Sequence, residues 1–166
     1  MTDSIISFFQ ESPMWIKEAI TFAISMLPIV ELRGAIPVGV AFGIESWKLY
    51  IISVLGNMLP IPFVLWLARP IINFCLNSRF LKRIGTWLQN KVDKNADEIV
   101  KYGTWSLMIF VAIPLPGTGA WTGALVAALL DLRIKKAVPS IFLGVVIAGI
   151  IMLFGSNIVK FIIGLF

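Results

Sequence analysis

Residues 137–159 run for twenty-three positions without a charged side chain, and residues 49–68 for twenty. Each run is long enough to cross about 30 Å of hydrocarbon as a helix. Two other uncharged regions have the wrong shape for that. Residues 19–30 and 34–44 are twelve and eleven long, with Glu31, Leu32 and Arg33 between them. Residues 102–130 form a run of twenty-nine, but "PLPGTG" at 114–119 interrupts its middle. Two prolines and two glycines do not continue a regular helix. The chain reads as two plain spans and two broken apolar elements.

Composition agrees. The chain has 166 residues, 58% hydrophobic and 14% charged, with a mean hydropathy of +0.92, where soluble domains carry about a quarter charged residues. A water-soluble fold of this length does not hide so much apolar surface, so lipid is the solvent for much of it. The expected fold class is an all-α integral membrane protein, a single domain over residues 1–166. The N-terminal stretch "MTDSIISFFQESPMWIKEAI" lacks the basic region and small-residue cleavage site of a signal peptide. The single cysteine, Cys75, forms no internal disulfide. There is no histidine, which excludes histidine metal sites, general bases and proton relays.

The broken elements resemble each other. With an offset of 86, Pro28 falls on Pro114, Gly34 on Ala120, Ala41 on Ala127 and Glu45 on Asp131. A repeated unit is implied: a broken apolar segment, a short charged turn, then one span. Repeat one covers about 14–70, repeat two about 102–166, and a linker about 71–101. If each broken element is a re-entrant hairpin, residues 69–101 and "DLRIKK" (131–136) share a face carrying ten basic and four acidic residues. The other face then carries three basic and four acidic ones. That asymmetry follows the positive-inside rule and places both termini outside the cytoplasmic membrane. One span between the hairpins makes the repeat inverted, and inverted repeats with discontinuous helices are a recurring transporter design. In the linker, Phe80, Leu81, Ile84, Trp87, Leu88 and Val92 fall near one helical face. The pattern fits an amphipathic helix on the anionic leaflet or one packed on the protein's own loops.

"PIVELRGAIPVG" (28–39) carries the chemistry. A charge at membrane depth costs about 3 kcal/mol or more, so Glu31 and Arg33 need a partner or water. Residues two apart do not face each other on a helix, but Pro28, Gly34 and Pro37 favour unwinding there, as Pro114, Pro116 and Gly117 do in the second element. Unwound backbone at depth must itself line a polar cavity or be buried in protein. Half-helix N-termini expected near Gly34 and near Thr118 and Gly119 point free N–H groups at the midplane. With Arg33 they favour an anion, and Glu31 is the proton-binding group. Alternatively, Glu31 and Arg33 only neutralise each other and brace the hairpin. A lipophilic cation wants Glu31 exposed and Arg33 turned away; an anion wants the reverse. Asn57 either lines the cavity or makes an interhelical hydrogen bond. Gly39 with Gly43, and Gly119 with Gly123, suit close hairpin packing. Trp15, Trp47, Trp66 and Trp105 lie near expected membrane ends. No catalytic triad, paired carboxylates, phosphate loop or metal spacing is present in the sequence, so neither an enzyme nor a cofactor or metal is expected.

"ELRGAIP" and "IPLPGTGAWTG" together resemble the small multidrug export protein family over nearly the whole chain. That family is similar to the DedA and VTT-domain membrane proteins, whose members carry two re-entrant hairpins in an inverted repeat. The resemblance implies a proton-linked transporter or a lipid-moving protein. DedA-like relatives have an acidic residue in the first hairpin, matched here by Glu31. They also carry arginines in the second hairpin, where "PLPGTGAW" has none, so Arg33 is the residue left to supply that charge. The function expected is proton-coupled export of a small molecule through a midplane site. The alternatives are scrambling or flipping of a phospholipid or polyprenyl-phosphate, and a non-transporting membrane scaffold. Expected partners are membrane lipids, a small-molecule or lipid-headgroup substrate and a second copy of the chain, with no nucleic acid.

Overall fold

In the computed structural model, residues 12–67, 70, 86, 104–115, 117–130 and 132–163 are described. The amphipathic linker at 77–101, Asp131 and Pro116 lie outside them. All regular structure among the described residues is helical, and includes α1 (Met14–Met26), α2 (Glu31–Ala41), α3 (Ser46–Met58), α4 (Thr104–Ala112), α5 (Ala120–Leu129) and α6 (Ile134–Ile163). Among the described residues, two stretches are long and apolar enough to cross a membrane: Ser46–Leu67, which contains α3, and Ile134–Ile162 within α6. Trp47 and Trp66 stand at the two ends of the first, both largely exposed. None of α1, α2, α4 and α5 is long enough to cross alone.

The chain forms two compact units, Met1–Leu59 with Val146–Phe166, and Pro60–Val145. In the first, α1, α2 and α3 all pack against one another. The residue before a proline is pushed out of the helical region, and Leu27, before Pro28, ends α1 in extended backbone (ψ 136°). Gly39 brings α2 onto α3, because a β-carbon there would overlap the side chain of fully buried Leu49. Gly56 brings α3 onto α1 in the same way, against Ser25 and the Phe22 carbonyl. The C-terminal half of α6 joins through Tyr50, whose hydroxyl donates to the Val146 carbonyl at 3.1 Å, and through Gly149, which faces the Tyr50 ring. Leu32, Ile36 and Leu49 are the fully buried centre.

The second unit is built around Val111 of α4. It packs between Gly123 of α5 and Gly144 of α6, where a β-carbon at either glycine would come within 2.7 Å of it. Leu107, Val126, Ile141 and Val145 are fully buried around it. The order of elements is the same in both halves of the chain: short helix, break, short helix, four-residue turn, long helix. The two turns also close alike. Ile44 N–H donates to the Gly39 carbonyl and Leu132 N–H to the Ala127 carbonyl, each capping a short helix from beyond its end. Left-handed Gly43 (φ 74°) makes the first of these caps possible. Gly39 thus serves packing, but against the following helix α3 rather than within the hairpin, whereas its companion Gly43 serves the turn.

Candidate functional site

The break between α1 and α2 is a tight turn at residues 27–30. It is closed by a hydrogen bond from Glu31 N–H to the Leu27 carbonyl at 2.9 Å. Glu31 then takes a left-handed backbone conformation (φ 52°), alone in this among the described non-glycine residues. A residue with a β-carbon gives up about 1–2 kcal/mol in this region. Such strain persists only where surrounding structure enforces it, and it concentrates at functional sites. The turn is also apolar on its outside. Ile29 is 94% exposed, with Leu27 and Pro28 exposed beside it. A loop bordered by water is normally polar; this one suits a less polar environment.

Glu31 itself is buried, 4% exposed, while Arg33 is partly exposed. The Glu31 carboxylate is close enough to act electrostatically on the Arg33 guanidinium. The backbone departure that lets residues two apart interact is therefore at Glu31 itself. Helix α2 starts there, three residues before the start expected near Gly34, and Gly34 N–H is engaged with the Val30 carbonyl at 3.0 Å. Pro37 does not break the helix as expected. It lies inside α2 and removes one internal hydrogen bond, which packing against neighbouring helices makes tolerable.

Asn57 lies on α3, packed against both α1 and α2. It is fully buried, and neither its amide oxygen nor its nitrogen has a hydrogen-bond partner, so the interhelical bond is absent. Ser53, one turn earlier on the same face, is also fully buried with an unpartnered hydroxyl. On α1, Thr21 and Ser25 are fully buried but donate to their own helix, to Lys17 and Phe22 carbonyls at 2.8 and 2.7 Å. Sequence reasoning missed Thr21, Ser25 and Ser53. Their signal was the four-residue spacing of polar groups, Thr21 with Ser25 and Ser53 with Asn57, which puts each pair on one helical face. An unpartnered buried amide costs about 1–3 kcal/mol, and native proteins rarely leave one without a ligand or water. The first unit thus encloses two polar side chains of α3, Ser53 and Asn57, whose hydrogen-bonding capacity is unused.

Thr118 and Gly119 belong to the second unit. The Thr118 hydroxyl braces the break by donating to the Ile113 and Leu115 carbonyls at 2.8 and 2.9 Å. Gly119 (φ 124°) is the residue from which α5 starts, as expected, and Gly117 is also left-handed (φ 88°). Pro114 lies in this break with apolar Ile113 and Leu115 exposed beside it. Among the described residues no cluster of histidine, cysteine or acidic side chains suits a metal ion.

No curated protein and no solved structure matches the chain. One family model does, over residues 31–151, from the strained Glu31 through the first long apolar stretch and into the second. This membrane protein, with its two broken helix pairs and two long apolar helices, belongs to the family of small multi-drug export proteins.

Proposed function

We propose that the protein is a proton-coupled secondary transporter that exports a small organic anion, with Glu31 as the proton-binding group and Arg33 as the substrate-facing cation. The observation that carries this reading is Glu31, an acid buried in a membrane protein and held at a strained backbone position beside a partly exposed arginine. The exposed member of the pair decides the substrate's sign. A guanidinium reached from outside, with its carboxylate turned inward, attracts a carboxylate or phosphate. Asn57 and Ser53 supply hydrogen-bonding groups to the substrate or to the water that accompanies it. The short paired helices are read as re-entrant hairpins, supported by their length and by the exposed apolar residues at both breaks.

Flux in proteoliposomes tests the reading. Carboxyfluorescein and ethidium serve as anionic and cationic probes, under an imposed pH gradient. Gradient-dependent flux of carboxyfluorescein that disappears in Glu31→Gln is the expected result. Flux of ethidium alone overturns the substrate's sign. Translocation of a labelled phospholipid without a gradient, and with neither probe moving, overturns the transporter reading in favour of lipid scrambling.

A further inference from the structure

In the first unit, α2 and the C-terminal half of α6 border a groove of about 680 Å³. Pro37 and Ala41 form one wall, Ile151, Gly155 and Val159 the other, and Lys160 stands at its end. The groove is almost entirely apolar, with Ser156 beside the lysine. From Ile151 to Lys160 it runs about 14 Å along the helix axis, half of a hydrocarbon core about 30 Å thick. Ile151 lies just past the middle of α6 and Lys160 in its last turn. The groove therefore covers the depth of one leaflet, and its one cation stands where hydrocarbon meets headgroups. Lys160 has no ion-pair partner among the described residues.

We infer that this groove is a binding site for an anionic phospholipid, with one acyl chain against Pro37, Ala41 and Gly155 and the phosphate on the Lys160 ammonium. Length and charge both select the occupant. An apolar channel one leaflet deep matches a hydrocarbon chain, and an unpaired lysine at the interface matches a negative headgroup. Gly155 borders open space, since a β-carbon placed there meets nothing within 4 Å. The inference does not depend on what the protein transports.

Native mass spectrometry of the full-length protein in detergent tests it, titrating phosphatidylglycerol against phosphatidylcholine of the same chains. Phosphatidylglycerol is expected to bind about fivefold more tightly, the effect of one cation near an anionic headgroup. Lys160→Gln should remove that preference while leaving lipid binding. Gly155→Leu fills the groove from a position with open space, and should weaken binding of both lipids with the melting temperature unchanged. If Gly155→Leu fails to fold, Ala41→Leu plugs the opposite wall and takes its place. Equal affinity for the two lipids, or unchanged binding when the groove is plugged, overturns the proposal.

Discussion

Ser25 of α1 rests on Gly56 of α3, its hydroxyl oxygen standing where a β-carbon of residue 56 would be. The Phe22 carbonyl lies 2.7 Å from the same point, so the neighbour that must yield includes backbone. Gly56→Ala is therefore expected to destabilise the protein by about 1–3 kcal/mol through overpacking. Thermal unfolding in detergent measures it, with Gly155→Ala as the control. That substitution enters open space and should be neutral or stabilising.

The amide one residue beyond Gly56 has the opposite expectation. Asn57→Leu removes a buried group that has no partner and keeps the number and branching of its heavy atoms. It should raise stability by about 1–3 kcal/mol while abolishing flux, the trade expected of a polar group retained for function. A variant that transports normally would show that Asn57 has no part in the site.

Strain at Glu31 is separable from its charge. Glu31→Gly and Glu31→Ala remove the same carboxylate, but only glycine adopts a left-handed backbone without penalty. The glycine variant should be more stable than the alanine variant by about 1 kcal/mol. Equal denaturation midpoints would mean that the turn relaxes once the acid is gone.

The charge itself is tested by three variants. Glu31→Gln should remove the dependence of flux on a pH gradient, because the amide keeps shape and hydrogen bonding without titrating. Arg33→Lys should reduce anion flux sharply despite conserving charge, since the bidentate grip is lost. Replacing Glu31 and Arg33 together by Leu and Met should leave a folded but inactive protein. A double variant with normal flux would reduce the pair to a structural brace.

The charge distribution of the sequence predicts a topology. Single cysteines at Lys48 and Lys135, in a Cys75→Ser background, should label from opposite sides, with Lys135 cytoplasmic. Labelling of Lys135 from outside would overturn the reading of residues 102–130 as a re-entrant element.

Much of this architecture was legible in the order of residues because membrane chemistry is a matter of length and polarity. Runs of twenty and twenty-three uncharged residues mark the long helices, and Pro28 and "PLPGTG" mark the breaks, since a proline acts on its own backbone and that of its neighbour wherever it stands. Family membership was likewise carried by short motifs. What tertiary structure alone decided concerns which groups find partners. The sequence placed a half-helix start at Gly34 and a break at Pro37, but α2 starts at Glu31 and runs through the proline, because packing on α1 and α3 outweighs one lost hydrogen bond. Which of Glu31 and Arg33 is buried, and that Asn57 is enclosed without a partner, depend on side chains brought from three helices. Local pattern does not encode burial by distant neighbours; only the packed fold does.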